Sequence, residues 1–164
     1  MKIIKAVLLV ALVGLVGACA TKFRTYDGPE VTRVLIYKER HQLYLMNNDK
    51  VLKRYHIELG FTPTGDKQVE GDGKTPEGEY FIDRRNPNSA FYLSIGISYP
   101  NAADRAEAKA LGQSPGGDIF IHGARRPGDP KGADWTAGCI SVSNRQMEEI
   151  YAMVKNGTRI SIYP

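Results

Sequence analysis

The chain has 164 residues, of which 42% are hydrophobic, and a formal net charge of +4 at pH 7. A chain of this length fits one domain. Lys2 and Lys5 contribute two of the charges, so the rest of the chain carries only 4 − 2 = +2. Such a small excess of positive charge gives no support to nucleic-acid binding, and we expect no nucleic-acid partner.

The N-terminus has the pattern of an export signal. A short basic start over residues 1–5 precedes an apolar run of eleven residues, 6–16, which is too short to span a bilayer. Gly17 and Ala18 then precede Cys19, a pattern that resembles the lipobox of bacterial lipoproteins. We therefore predict a signal peptide over residues 1–18 and lipidation of Cys19. The alternative is an ordinary secretory signal in which Cys19 is incidental.

Removal of that signal would leave a mature chain of 164 − 18 = 146 residues, enough for a single hydrophobic core. Residues 19–30 contain Gly28-Pro29, which breaks regular structure, and we interpret them as a tether. No aspartate follows Cys19, which resembles the default sorting of Gram-negative lipoproteins to the outer membrane. The expected location is the periplasmic face of that membrane, with the protein held there by its lipid anchor.

The cysteine count gives the first indication of chemistry. Lipidation of Cys19 would leave Cys139 as the one free thiol of an exported protein, in a compartment that oxidises thiols. An unpaired thiol there favours a catalytic role. The alternative is a buried cysteine that acts only as a small hydrophobic residue.

The first half of the chain has the pattern of short strands. Residues 31–38 contain an apolar run typical of a buried strand, and residues 41–46 alternate between polar and apolar. Turn residues follow, and residues 50–59 then return as a strand, which predicts a hairpin. A long glycine-rich loop covers residues 65–78. Further strands are predicted over residues 79–83 and 91–97, separated by Arg84-Arg85-Asn86-Pro87-Asn88.

The second half adds two short helices. Residues 101–111 are rich in alanine and predict a helix that ends at Gly112. Ser143 and Gln146 form a capping-box pattern, and apolar residues then recur at helical spacing up to Gly157. Residues 158–163 alternate as a closing strand. Several strands with two modest helices predict a mostly-β domain, α+β in detail, over residues 31–164.

Two segments of this domain bring a histidine and a cysteine into one pattern. An apolar run, Ile119-Phe120-Ile121, delivers His122 to the end of a predicted strand, and Cys139 follows a Thr-Ala-Gly approach. A free thiol with a pKa of about 8.5 is only slightly ionised near neutral pH. A neighbouring imidazole can take its proton and later return it to a leaving amine. Gly123, directly after the histidine, lets another backbone approach closely. Gly138 does the same and permits a turn whose N–H groups could point at a developing oxyanion.

The pattern His122-Gly123 followed by Thr136-Ala137-Gly138-Cys139-Ile140 resembles the catalytic signature of YkuD-type L,D-transpeptidases. Residues 71–80, 91–100 and 116–123 are also similar to segments of smaller Gram-negative members. The resemblance covers most of residues 31–164. It implies a YkuD-like β-sandwich and a monomeric enzyme that acts on peptidoglycan stem peptides and needs neither a metal nor a cofactor.

The resemblance also implies roles for individual residues. Cys139 would be the nucleophile, and His122 the general base and acid. The Gly123 carbonyl would orient the imidazole, and Thr136 and Gly138 would shape the oxyanion site. The enzyme would attack the amide between diaminopimelate and the terminal D-alanine of a tetrapeptide stem, releasing D-alanine and forming a thioester. An amine from another stem would then resolve it.

Several alternatives stay open. Ala137 and Ser141 depart from the residues common in the family, which leaves the acceptor undefined. With water as acceptor, the same thioester would give a carboxypeptidase, or a hydrolase that releases lipoprotein from peptidoglycan. A non-catalytic peptidoglycan-binding lipoprotein is the third possibility.

Other candidate residues come from the loop between His122 and Cys139. Arg125 and Arg126 could pair with carboxylates of the stem peptide or lie solvated on the surface. Trp135 could cover the site or only fix the loop. A zinc site built from Asp118, His122 and Cys139 is a rival hypothesis, but the usual metal-ligand spacings are missing. A papain-like protease does not fit, because its cysteine precedes its histidine.

Overall fold

The structure is a computed structural model that describes residues 21–164. The predicted signal peptide and Cys19 lie outside the described residues. No helix within residues 21–164 is long and apolar enough to cross a membrane.

Strands dominate the described part of the chain. One curled sheet of eight strands has the order β3-β2-β1-β8-β4-β5-β6-β7, and two helices pack beside it. The prediction of a mostly-β domain with two short helices is confirmed. The strands are β1 (Arg33–Tyr37), β2 (Gln42–Asn47), β3 (Lys50–His56), β4 (Gly78–Asn86), β5 (Ser94–Ile97), β6 (Phe120–His122), β7 (Ile140–Ser141) and β8 (Arg159–Tyr163); the helices are α1 (Ala102–Ala110) and α2 (Asn144–Met153).

The predicted hairpin is confirmed and forms one end of the sheet. β2 pairs with β3 antiparallel, and β1 joins β2 on one side and β8 on the other. Val34 and Ile36 on β1 are completely buried, as are Leu43 and Leu45 on β2. Since side chains alternate between the two faces of a strand, each of these strands buries one face and leaves the other nearer to solvent.

β4 carries the change of direction that curls the sheet. It pairs with β8 through its first residues and with β5 through its last, and its register shifts between Ile82 and Arg84. The sequence predicted that this strand would end at Asp83, but it continues to Asn86. The added residues belong to the strand because Arg84 pairs with Gly96 in the second half of the sheet, a long-range pairing that local turn residues do not reveal.

The two ends of the sheet approach each other beyond β3. Glu58 forms an antiparallel bridge with Ser141 of β7, and Gly60 forms a parallel bridge with Thr136. A second constraint comes from Lys38, which is 2% exposed. Its ammonium donates to the Thr75 carbonyl at 2.9 Å and to the Glu77 carboxylate at 2.7 Å. These contacts hold the long loop 65–77 against the sheet and close to the segment that carries Cys139.

α2 packs against β5 and β6 through buried Met147, Ile150 and Met153. Ser143 is its N-cap, as the sequence predicted. The Ser143 hydroxyl accepts a hydrogen bond from the Gln146 N–H at 3.3 Å, and the Gln146 side chain accepts from the Ser143 N–H at 2.9 Å. The cap satisfies backbone donors at the start of α2, which packs against β6, the strand that carries His122.

Replacement of this cap should destabilise the fold by a measurable amount. We expect Ser143→Ala to lower the free energy of unfolding by about 1 kcal/mol, and the melting temperature by about 2–4 °C. Ser143→Asp keeps a side-chain oxygen at the N-cap and should stay close to wild type. Thermal unfolding followed by circular dichroism measures both variants. Equal losses in the two would show that the helix does not depend on the cap.

Candidate active site

β6 delivers His122 to a buried position between β5 and β7. The side chain is 3% exposed, and its Nδ1 lies 2.7 Å from the Gly123 carbonyl oxygen. A carbonyl oxygen only accepts hydrogen bonds, so Nδ1 carries the proton of the neutral ring. Nε2 is then the nitrogen with a free lone pair. The resemblance implied this contact with Gly123, and it assigns the tautomer that a general base requires.

Gly123 holds the carbonyl in place because its backbone lies in a gap that a side chain would fill. Its N–H donates to the carbonyl oxygens of Phe91 and Leu93, at 3.0 and 3.2 Å. A Cβ at this position would lie 2.5 Å from Asn144 Oδ1 and 2.6 Å from the Phe91 oxygen. The close approach of another backbone, which the sequence predicted for this glycine, is confirmed.

Ser141, one of the two departures from the common pattern, also contacts this carbonyl. Its hydroxyl donates to the Gly123 oxygen at 3.2 Å, and the side chain is buried. Ser141 therefore donates to the same carbonyl oxygen that holds His122 Nδ1. Ala137, the other departure, is exposed.

Aromatic rings enclose the imidazole. The Phe91 ring stacks on His122 with a centroid separation of 4.4 Å, and Trp135 meets it edge-on at 5.7 Å. Burial lowers the pKa of His122 below its ordinary value, because the charged imidazolium would lose water; the bond to Gly123 opposes this in part. The ring is therefore neutral at pH 7 and able to accept a proton.

The parallel pairing of β6 with β7 places Cys139 next to this histidine. Ile121 pairs with Ile140, and His122 with Ser141, so Cys139 stands one residue before the paired segment. Cys139 and His122 border one cavity of about 270 Å³. The thiol donates to the Asp118 carbonyl at 3.5 Å.

The environment of Cys139 favours the protonated thiol. Burial raises its pKa and the nearby Asp118 carboxylate adds to the rise, while a hydrogen bond from the Phe120 backbone and the positive charge of Lys67 act in the opposite direction. Both members of the Cys139–His122 pair are consequently neutral near pH 7.

Thr136 braces the turn that carries the thiol. Its hydroxyl accepts from the Gly138 N–H at 3.1 Å and donates to the Cys139 carbonyl at 2.6 Å. Gly138 has a φ of +129°, and a Cβ there would lie 2.6 Å from the Lys74 carbonyl oxygen. The loop 65–77 therefore packs directly on the turn, and only glycine fits both the conformation and the space.

Arg125 and Arg126 both brace the loop 124–133. Arg125 donates to the Gly132 carbonyl at 2.5 Å and to the Glu58 carboxylate at 3.3 Å, and it lies over the Trp135 ring. Arg126 pairs with Asp129 at 3.0 Å, and its guanidinium lies 4.3 Å from the Phe91 ring centroid. Each guanidinium lies over an aromatic ring, and neither arginine lines the Cys139 cavity. Arg125 instead borders a second cavity of about 530 Å³, beside Glu58 and Ser141.

Sequence reasoning missed Glu58 and Phe91 as site residues. Glu58 accepts a hydrogen bond from Trp135 Nε1 and forms both backbone hydrogen bonds of its bridge to Ser141. It thus fixes Trp135, which is 7% exposed, against His122. Phe91 lies in one of the segments that resemble the family, but nothing in that segment indicates that its ring covers the histidine.

The structure bears on the hypothesis of a zinc site at Asp118, His122 and Cys139. Among residues 21–164, no group of three or more His, Cys, Asp and Glu side chains is arranged to hold a metal ion. The Asp118 carboxylate bonds to Arg84 at 3.1 Å, and His122 uses Nδ1 on the Gly123 carbonyl.

Comparison with known proteins identifies the family. The model of the YkuD L,D-transpeptidase catalytic domain matches residues 31–162. "Putative L,D-transpeptidase YafK" of Escherichia coli K12 is 32% identical over 145 residues, which cover 82% of this chain and 50% of that protein. "Putative L,D-transpeptidase YkuD" of Bacillus licheniformis is 30% identical over 137 residues, 80% of this chain and 66% of that protein. The chain belongs to the YkuD L,D-transpeptidase family.

Solved structures agree with this assignment. The helical cell shape determining protein Pgp2 from Campylobacter jejuni is 28% identical, with a TM-score of 0.63 over 84% of this chain and 49% of that one. L,D-transpeptidase 1 of Mycobacterium tuberculosis shares the fold at 13% identity, with a TM-score of 0.53 over 82% of this chain and 62% of that one. The chain spans about half the length of YafK and of Pgp2.

The raised pKa of Cys139 gives a test by alkylation. We expect the rate of reaction with iodoacetamide to increase with pH through a midpoint above about 8.5, the ordinary thiol value, because burial favours the protonated form. Mass spectrometry of the peptide containing Cys139 measures the rate, and Cys139→Ala, which lacks this thiol, shows that the modification occurs at Cys139. A midpoint below pH 7 would instead indicate a thiolate–imidazolium pair in the free enzyme.

The contact between Glu58 and Trp135 gives a test of the enclosure of His122. Glu58→Ala should release Trp135 and admit water to the imidazole, so that the His122 pKa rises toward about 6.5. Glu58→Gln keeps an acceptor for the indole N–H and should leave this pKa nearly unchanged. NMR titration of ¹³C-labelled histidine measures both variants. An unaltered pKa in Glu58→Ala would show that Phe91 and the strands enclose the ring without Glu58.

The lowered pKa of His122 also affects the stability of the fold. Since the unfolded chain protonates His122 at higher pH than the folded chain, the neutral ring stabilises the fold above about pH 6.5 and this contribution is lost as the pH falls. Glu58→Ala should therefore show a weaker loss of melting temperature between pH 6.5 and 5 than Glu58→Gln.

Proposed function

We propose that this protein is a peptidoglycan L,D-transpeptidase that acts on tetrapeptide stems through a Cys139 thioester. The observation that carries the proposal is the hydrogen bond between His122 Nδ1 and the Gly123 carbonyl. It leaves Nε2 as the basic nitrogen of a neutral imidazole that shares a cavity with the only free thiol of residues 21–164. Membership of the YkuD family supplies the class of substrate.

In the acylation step, the Cys139 sulfur attacks the carbonyl carbon between diaminopimelate and the terminal D-alanine. The thiol proton passes to His122 Nε2 as the sulfur–carbon bond forms, since neither group is charged beforehand. The Gly123 carbonyl keeps its bond to Nδ1–H and stabilises the imidazolium. His122 then returns the proton to the D-alanine nitrogen, the carbon–nitrogen bond breaks, and a thioester remains on Cys139.

In the second step, an amine of another stem attacks the thioester. Neutral His122 accepts a proton from the attacking nitrogen, and Cys139 leaves as the thiol. Water in place of the amine would give a tripeptide and carboxypeptidase activity by the same proton transfers. We assign Thr136 and Gly138 to the turn rather than to direct contact with the oxyanion, because the Gly138 N–H already donates to Thr136 Oγ1.

The proposal extends to the cellular role. Pgp2, which is similar in structure, is a helical cell shape determining protein. This similarity supports a role in remodelling of the cell wall. A lipid anchor on Cys19 at the periplasmic face of the outer membrane would hold the domain within reach of peptidoglycan, with the tether 19–30 between them.

Incubation with purified disaccharide tetrapeptides tests the proposal. We expect wild-type protein to release D-alanine and to form dimers linked between two diaminopimelates, detected by mass spectrometry of the muropeptides. Cys139→Ala should lower the rate at least ~10³-fold, since the nucleophile is lost, with little change in melting temperature. A carbapenem should add the mass of one acyl group at Cys139.

Each other product pattern has a defined meaning. Tripeptides without dimers would identify a carboxypeptidase, and release of lipoprotein-modified stems would identify the hydrolase. Turnover that persists in Cys139→Ala, or folded and reduced wild-type protein that never forms an adduct, would contradict the thioester mechanism.

A further inference from the structure

One ion pair reaches the Cys139 cavity through its acidic member, Asp118, and takes no part in the chemistry above. The Asp118 carboxylate borders the cavity, and its side chain is 85% exposed. Arg84 Nη2 donates to it at 3.1 Å. Only the backbone carbonyl of Asp118 contacts the thiol, so its carboxylate is left for another purpose.

The structure directs Arg84 toward this cavity. The residue follows the register shift in β4, and its side chain crosses β5 at Gly96. A Cβ on Gly96 would lie 2.4 Å from Arg84 Cγ and 2.6 Å from its Nε. The guanidinium then lies 4.7 Å from the ring centroid of Phe120, which also borders the cavity. Strand register, a missing Cβ and an aromatic ring thus place the Arg84 guanidinium outside the cavity lining but in contact with two residues of that lining, Asp118 and Phe120.

The backbone of Asp118 sets the direction of its side chain. It adopts a φ of +55°, a conformation that few non-glycine residues favour, although Asp and Asn tolerate it. This conformation lets one residue present its carbonyl to the Cys139 thiol and its carboxylate to Arg84. The charged pair is therefore tied in position to the reacting sulfur.

Stability gives little reason for such a pair. An ion pair whose two side chains are 44% and 85% exposed contributes little to folding, because water screens the attraction. A pair of this kind is well suited to a ligand that carries an ammonium and a carboxylate on one carbon. The ammonium can approach Asp118 while the carboxylate approaches Arg84, and each charge then gains a charge-assisted hydrogen bond.

We propose that Arg84 and Asp118 form a specificity clamp for the zwitterionic end of the diaminopimelate side chain in the donor stem. This inference rests on the proposed function, which places the diaminopimelate carbonyl at Cys139. The far end of that side chain bears one ammonium and one carboxylate on the same carbon. The two residues bind and align the donor, and they carry no proton in the reaction.

Three synthetic tetrapeptide stems test the clamp. The first contains meso-diaminopimelate; in the second the side-chain carboxylate is amidated; in the third the side-chain ammonium is replaced by hydrogen. The measurement is the rate of thioester formation on Cys139 in single turnover, by intact-protein mass spectrometry. We expect wild type to prefer the first stem over each of the others by about 10-fold or more, the usual effect of losing a hydrogen bond to a charged group.

Each variant should remove one preference and keep the other. Arg84→Gln should acylate with the first and second stems at similar rates, because it no longer distinguishes carboxylate from amide. Asp118→Asn, which tolerates the positive φ, should no longer distinguish the first stem from the third. The Asp118 carboxylate also raises the Cys139 pKa, but a change in thiol reactivity affects all stems and cancels in the ratio.

Asp83→Asn is the matched control. Asp83 lies 3.7 Å from Arg84 and does not border the cavity, and Asp83→Asn removes the same charge as Asp118→Asn. Both preferences should survive in this variant.

Equal rates for the three stems with wild type would overturn the clamp and leave the proposed function intact. A variant that slows all stems equally would show a structural role and also overturn it. Failure of every stem to acylate wild type would reject the proposed function itself.

Discussion

The backbone of Gly123 is the constraint on which the active site depends. Its N–H is bound by two carbonyls of the segment before β5, and its own carbonyl accepts from His122 Nδ1 and from Ser141 Oγ. The absence of a side chain lets Asn144 and Phe91 close around it. One residue thus joins the segment before β5 to β6, β7 and the start of α2, and its carbonyl decides which imidazole nitrogen is basic. The tautomer of His122 is therefore a property of the fold.

The curl of the sheet places the other site residues around Gly123. β6 and β7 lie next to each other in the parallel direction, although a loop of seventeen residues, 123–139, separates them in the chain. The bridges of Glu58 to Ser141 and of Gly60 to Thr136 bring in the segment after β3. Glu58 can consequently hold Trp135 on one side of the imidazole, while Phe91 approaches from the segment before β5. Residues far apart in sequence enclose His122 because the two ends of one sheet meet.

Much of this arrangement could be predicted from local patterns, and the rest could not for an identifiable reason. The hairpin, the capped helix after Ser143 and the approach of a backbone to Gly123 follow from alternation, capping residues and the space that glycine leaves. The extension of β4 through Asn86 does not, because its cause is pairing with β5 rather than the polar residues themselves. Arg125 and Arg126 carry the positive charge expected of substrate-binding residues. Within their own loop, however, Arg125 pairs with the Gly132 carbonyl and Arg126 with the Asp129 carboxylate. Glu58 and Arg84 form their contacts through tertiary structure alone, so sequence patterns do not indicate them; the sequence indicates Asp118 only as a candidate zinc ligand, and its pairing with Arg84 also depends on tertiary structure.

The buried and the exposed residues of the site have different properties. His122 is buried and Cys139 is partly buried, which lowers the pKa of the imidazole and raises that of the thiol, so both groups are neutral near pH 7. A neutral pair has little attraction for a charged ligand, and in the proposed mechanism its proton moves only when the sulfur attacks a carbonyl. Under that proposal, recognition of a charged stem peptide has to come from groups that keep their charge, and such groups must remain near water, because burial of an unpaired charge is costly. Arg84 and Asp118 meet this condition, and Asp118 is also bonded through its carbonyl to the thiol. The residue that contributes a negative charge to the cavity lining is therefore also the one whose carbonyl contacts the thiol of the proposed nucleophile.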